Sequence, residues 1–353
     1  MAVGATSLVL ALCILIAGCG GDGEKTARID TTGGAQSVSL TPDAVGASVR
    51  SFAARASYGI FEVTGGSCRE LSGLNSGAVI PLASAFKLWI LDALAREVAA
   101  GRAGWAETFP VQDRLRSDPS GEVYALPAGK RLSLRRYAEL MISISDNTAT
   151  DHLLARLGRE TVEAVFPAIG VSTAARNIPL LSTADMSRLK FVSPETGEQY
   201  LALASTAERR SFLERTVAAV PFPWQPGGGP ISDIDLGSPR HIDELEWFGT
   251  PADMCRTMHD LAVLAKQPGL GPVAEILSLE PGLPPDLGAR WAEVRFKGGS
   301  EPGVLTFVYW LARPDGRQRV VVLSWSDPER LLDQSAAGES AWRGVLNLAR
   351  SIE

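Results

Sequence analysis

Two strand-rich hairpins at opposite ends of the chain, with a long helical stretch between them, constrain the fold more than any other feature. Near the start, "YGIFEVT" (58–64) and "CRELSGLN" (68–75) flank "GGS", the pattern of a hairpin. At the far end, "AEVRFKGG" (292–299), "GVLTFVYWLAR" (303–313) and "QRVVVLSWS" (318–326) are β-branched and aromatic, and "PDG" turns the chain between the last two. Such an order predicts an α+β fold. One antiparallel sheet is completed from N- and C-terminal strands, helices pack on it, and an all-helical subdomain, roughly residues 100–285, is inserted.

Helical periodicity covers the middle. The clearest segments are 84–99, 133–143, 147–157, 160–168 and 206–219, and a last helix runs from about residue 339 to 351. "STADMSRL" from Ser182 and "GTPADMCRTM" from Gly249 each place a threonine shortly before an aspartate at the start of a helical run. Helix capping explains both, so no repeat architecture is inferred. "VPFPWQPGGGPISD" (220–233) reads as a surface loop.

The beginning of the chain carries a different signal. Residues 8–17 are apolar, too short a run for a comfortable membrane span, and they lead into Ile16, Ala17, Gly18 and Cys19. These four residues resemble a bacterial lipobox, which implies cleavage before Cys19 and lipid on its thiol, although no Lys or Arg precedes the apolar run. Residues 1–18 are therefore expected to be a signal peptide, 19–42 a Gly/Ser/Thr-rich tether and 43–353 the folded unit, exported and held to the membrane by lipid alone.

Charge and metal-binding residues exclude other classes. With a formal net charge of -6 and no Lys/Arg run, no nucleic-acid partner is expected. The three histidines, His152, His241 and His259, lack ligand spacing, and no metal or other cofactor is expected. Beyond the signal region only Cys68 and Cys255 remain; export permits a disulfide, but two separate buried thiols are the expectation.

Three short motifs carry the candidate chemistry. In "VIPLASAFKLWILDAL" Ser84 and Lys87 lie one helical turn apart, so their side chains share a face. A serine hydroxyl needs a neighbouring base, and an amine serves only where its surroundings favour the neutral form; Phe86, Leu88, Trp89, Ile90 and Leu91 would provide such surroundings. "SRLK" (187–190) shows that the pattern also arises elsewhere in this chain. Lysine is scarce, however: six positions (25, 87, 130, 190, 266, 297) among 34 Lys and Arg. Arginine does not give up its proton, so a lysine inside an apolar run is a marked choice.

The second motif is Ser145, Asp146, Asn147, a polar turn that could present the serine hydroxyl and the Asn147 amide, or simply cap the next helix through Asp146 or Asn147. The third is Lys297, Gly298, Gly299, Ser300 at the end of an apolar strand, where glycines let a ligand approach and the lysine offers a cation. Each motif alone has an ordinary structural reading.

Taken in order, S-x-x-K, S-D-N and K-x-G resemble the signature set of class A β-lactamases and penicillin-binding proteins. The resemblance spans the chain from the first hairpin to the last helix. It implies the β-lactamase/transpeptidase-like fold and acyl transfer, with Ser84 the acylated nucleophile and Lys87 its candidate base. Ser145 would pass a proton toward the leaving nitrogen, Asn147 would hold the substrate amide, and Lys297 would support Ser145 and attract a substrate carboxylate. The N–H groups of Ser84 and Ser300 would form the oxyanion hole.

Two departures qualify what the resemblance implies. Gly298 stands where the family's K-T-G has a hydroxyl, a role open to Ser300. The E-x-x-N pattern whose glutamate activates the deacylating water in class A enzymes is missing from "FPAIGVSTAARNIPLLSTADM", where Asp185 is the only acid and reads as a cap. Glu160 and Glu163 come too early. Acylation is expected, with release dependent on Lys87, a tyrosine such as Tyr124 or Tyr137, or an acceptor bringing its own nucleophile.

The leading expectation is an exported monomeric serine hydrolase opening β-lactams or related amides and esters. A D,D-peptidase or esterase acting on peptidoglycan-like peptides, slow to release β-lactams, comes second. A tethered binding protein without turnover comes third, and the intact serines and lysines argue against it.

Overall fold

The computed structural model describes residues 41–117, 120–221, 236–332 and 336–353. The signal peptide, Cys19 and nearly all of the expected tether lie outside the described residues, as does most of the 220–233 loop. At the end of the expected tether Thr41 caps a helix α1 (Pro42–Arg50) by accepting from Ala44 N, with proline at the first turn, where its missing N–H costs nothing.

Five antiparallel strands make the sheet: β1 (Arg55–Thr64), β2 (Ser67–Leu74), β3 (Glu293–Glu301), β4 (Val304–Ala312) and β5 (Gln318–Ser326), in the order β2-β1-β5-β4-β3. As the two hairpins predicted, the sheet is closed by its ends, with Arg55 of β1 opposite Ser326 of β5. Gly65 and Gly66 turn the first hairpin with φ of 59° and 81°, two successive left-handed residues that suit the twist of the flanking strands.

Alternation along the strands explains their nearly unbroken apolar runs, because both sheet faces are covered. Val321, Leu323 and Tyr309 face α1 and the terminal helix α6 (Ala336–Ser351), packing with Val45, Val49, Val345 and Leu348. Val320, Val322 and Val308 face the helical body, which is built around α2 (Lys87–Ala99) with α3 (Leu134–Ser143), α4 (Asn147–Leu157) and α5 (Pro251–Leu264). Every residue of α2 from Lys87 to Ala95 is buried, Lys87 and Asp92 included, so this mostly apolar helix is surrounded by protein along that length.

Several expected helices are interrupted. The 84–99 segment opens with a 3-10 turn, Ala83–Phe86, before α2 begins at Lys87; the segment at 160–168 divides into Arg159–Glu163 and Val165–Ile169; and the segment at 206–219 ends its α-helix at Arg215. Ser182 with Asp185 and Thr250 with Asp253 form the expected caps, each a reciprocal capping box.

The expectation of two separate thiols is wrong. Cys68 on β2 and Cys255 on α5 form a disulfide, with Cα atoms 6.3 Å apart across a sequence separation of 187 residues. The β2 edge lies against α5, a contact of high sequence separation that residue patterns do not encode.

Candidate active site

The site begins where α2 meets the sheet. Ile80–Pro81 pairs antiparallel with Phe248–Gly249, and Leu82 N–H donates to Trp247 O at 2.8 Å, so the chain enters the 3-10 turn from a fixed direction. Ala83 then adopts φ 43°, a left-handed conformation that costs energy for a residue with a Cβ and persists only where the surroundings impose it. Ser84 follows, half-buried, on a turn whose other residues are buried.

Lys87, fully buried, is the first residue of α2. Its Nζ lies 2.7 Å from Ser145 O, 2.6 Å from Asn147 Oδ1 and 3.2 Å from Ser145 Oγ. Ser145 sits between α3 and α4 with φ 59°, a second strained non-glycine position. Its hydroxyl also receives Lys297 Nζ at 3.0 Å, while Lys297 donates to Gly298 O at 2.6 Å. One serine hydroxyl thus lies between two buried lysines, one from α2 and one from β3. Both donate into a water-poor site, where such contacts are stronger than at the surface.

Asp146 faces the other way. Its carboxylate accepts from Ala149 N at 2.8 Å, as the N-cap of α4, and from Glu122 N and Val123 N at 2.7 and 2.8 Å. It fastens the 120–123 loop to the helix start, and Asn147 N–H reinforces this by donating to Ser120 O at 3.0 Å. Gly121 is required there, since a Cβ at its φ of 107° would stand 2.4 Å from the Asp146 carboxyl. Within S-D-N, then, the serine and asparagine face the lysines and the aspartate holds the turn.

On β3 the period of two puts Lys297, Gly299 and Glu301 on one face, which packs on the nucleophile turn. A Cβ on Gly299 would lie 2.2 Å from Leu82 O and 2.8 Å from the backbone nitrogens of Ser84 and Ala85. The strand reaches the turn only because glycine stands there. Gly298 is buried and Ser300 is exposed at the strand's outer side.

Ser84, Lys87, Ser145, Asn147, Lys297, Gly298, Gly299 and Ser300 therefore converge from three separated segments onto one locality. The family model of the "Beta-lactamase enzyme family" matches residues 44–337. The chain belongs to the beta-lactamase enzyme family. It has the β-lactamase/transpeptidase-like fold and is a serine hydrolase of that family. Among solved structures it is similar to a beta-lactamase from Sphaerobacter thermophilus DSM 20745, at 21% identity and TM-score 0.57 over 86% of this chain and 93% of that one. A mutant form of PBP-A, solved as an acyl-enzyme complex with penicillin-G, shares 17% identity with TM-score 0.57, covering 88% and 94%. A beta lactamase from Xanthomonas campestris pv. campestris shares 15% with TM-score 0.58, covering 88% and 97%. No curated protein matches the chain.

This beta-lactamase-family chain also brings to the site residues that motif reading passed over. Glu246, fully buried, accepts from Ala83 N at 3.2 Å and from Trp247 N, and its Oε1 has no partner among the described hydrogen bonds. Glu301 at the end of β3 pairs with Lys190, itself fully buried, at 2.5 Å. Burial drives the Glu246 carboxyl well above the usual range; the neighbouring Glu301 carboxylate pushes the same way and Lys190 opposes. Phe86 stacks on Trp247 beneath the turn, ring centroids 3.7 Å apart. A usable signal existed: Lys190 is one of the six lysines and ends the "SRLK" stretch.

Of the two tyrosines expected near the turn, Tyr137 is engaged with other partners, whereas Tyr124 belongs to a loop fastened to that turn. Tyr137 is buried, stacks on His152 and donates to Phe109 O at 3.2 Å, and burial pushes its phenol further from ionisation. Tyr124 lies in the loop held by Asp146, its carbonyl accepting from Arg116 Nη1 at 2.6 Å. Among the described residues no group of three His, Cys, Asp or Glu could hold a metal ion.

Proposed function

We propose that this protein is an exported serine acyl-transfer hydrolase that opens β-lactams or related amides through an acyl-enzyme on Ser84. The observation that carries the reading is the Ser145 hydroxyl held between Lys87 and Lys297 beside the Ser84 turn. In the first step Ser84 Oγ attacks the carbonyl and its proton passes to Lys87 acting as a neutral amine, which then donates through only two of its three contacts. The N–H groups of Ser84 and Ser300, brought together by the Gly299 contact, receive the oxyanion. Lys87 returns the proton through Ser145 to the leaving nitrogen, while Asn147 and Lys297 hold the substrate's amide and carboxylate. Substrate identity within this class rests on the family and on the PBP-A neighbour's penicillin complex.

Intact-mass measurement of the protein with labelled penicillin and a reporter cephalosporin tests this reading. A mass increase on wild type that Ser84→Ala lacks is the expected result, and equal labelling of both would overturn it. A persistent adduct favours the penicillin-binding alternative. The apolar leader and Cys19 carry the localisation part of the proposal: the full chain should fractionate with membranes and lose that association in Cys19→Ser, whereas soluble wild type would refute it.

A further inference from the structure

We propose that Glu301 is the general base that releases the acyl group, with Glu246 and Lys190 as positioning residues. The inference rests on the acyl-enzyme reading above and deepens it by naming the group that completes turnover.

Four observations converge. Strand alternation places Glu301 on the same face as Lys297 and Gly299, and Gly299 abuts the backbone of Ser84. From the opposite side, Glu246 touches the residue before the nucleophile, accepting Ala83 N–H. The Glu246 oxygen left without a partner is buried, close enough to Glu301 for that carboxylate's charge to push the Glu246 carboxyl up. Lys190, wholly buried, ends on Glu301 and on no exposed acid, which leaves a carboxylate fixed in place beside the nucleophile turn. A structural ion pair would need one acid and one base; here a second, buried carboxyl has been added at the cost of desolvation.

The pair divides the work. Glu246 has almost no exposure, and burial favours its neutral form beside Glu301. The Glu301 side chain is 13% exposed, so it is the member that a water in the cleft reaches. In the release step the O–H bond of that water breaks, its proton goes to Glu301 and its oxygen bonds to the acyl carbonyl carbon. The tetrahedral oxyanion then collapses and the bond to Ser84 Oγ breaks. The proton on Glu301 passes to that oxygen, so acid product leaves and both serine and carboxylate are restored.

The experiment is intact-mass kinetics with labelled penicillin on wild type, Glu301→Gln and Glu246→Gln, with thermal unfolding as a check of folding. Wild type should acylate and clear. Glu301→Gln should acylate within about threefold of the wild-type rate and release about 100-fold or more slowly, the range a general base contributes. Glu246→Gln, whose amide still reaches Ala83 N–H and Glu301, should release within about tenfold of wild type. If Glu301→Gln unfolds because Lys190 is left unpaired, Lys190→Met/Glu301→Gln removes both charges and should show the same held adduct. Release by either Glu301 variant at the wild-type rate, a wild type that never clears its adduct, or a held adduct in Glu246→Gln alone each overturns the assignment. Absence of any adduct on wild type instead overturns the acyl-enzyme reading itself.

Discussion

His152 is neutral by its hydrogen bonds. Its Nδ1 lies 2.7 Å from Thr148 O and must donate, while its Nε2 accepts Gln112 N–H at 2.9 Å; a proton on Nε2 would break the second bond. Burial lowers its pKa to about 4 from the ordinary 6.5. Between these values the unfolded chain binds a proton that the folded chain refuses, so stability falls as pH drops from about 6.5 to about 4, by at most about 3 kcal/mol. Carboxylates titrate in the same window, so the comparison must be with His152→Gln. The variant should be less stable at pH 7, having lost the stack on Tyr137, but should show a shallower decline of its urea midpoint below about pH 6.5. Parallel curves for the two proteins would show that His152 does not set this slope. The consequence is functional as well, because α4 begins at Asn147, with Asp146 as its N-cap and Ser145 just before it.

At the scale of elements, the approach of β3 to the 3-10 turn decides whether there is a site at all. Strand and turn are closer than any side chain permits, and Gly299 is the residue that allows it. The K-x-G pattern marked this glycine, and a backbone cause now accounts for it. The strands themselves were legible because β-branched runs between glycine turns encode pairing locally. The start of α2 was less so: 84–99 has uninterrupted helical periodicity, yet Ala83 is left-handed and Ser84 rides a 3-10 turn, since contacts from Glu246, Trp247 and Gly299 override local preference there. The same cause hid Glu246 and Glu301. Their proximity arises from a segment just before α5 meeting the end of β3, and a search for E-x-x-N along one loop could not see an acid supplied by two other elements.

Across the whole molecule, the order of strands and helices was legible because the two terminal hairpins have nowhere to pair except with each other. The Cys68–Cys255 link was not, as it depends on where α5 crosses the sheet edge. That crossing gives the link its importance. It ties β2, on the edge of the sheet farthest from β3, to the helix whose N-terminal capping box, Thr250 and Asp253, adjoins the Phe248–Gly249 strand. The closed loop of chain between the cysteines holds Ser84, Lys87, Ser145, Asn147 and Glu246, so the bond removes unfolded-state freedom from most of the site. Loop-closure arithmetic for a separation this long gives about 5 kcal/mol as a ceiling, and measured bonds usually give about 2–4 kcal/mol. Cys68→Ser/Cys255→Ser should therefore unfold at a clearly lower temperature than the oxidised wild type. Reduced wild type should match the variant, and acylation of whatever remains folded should proceed at an unchanged rate, because neither sulfur lies among the residues that touch Ser84. Equal melting temperatures for oxidised wild type and the double variant would show that packing of β2 on α5 suffices without the bond.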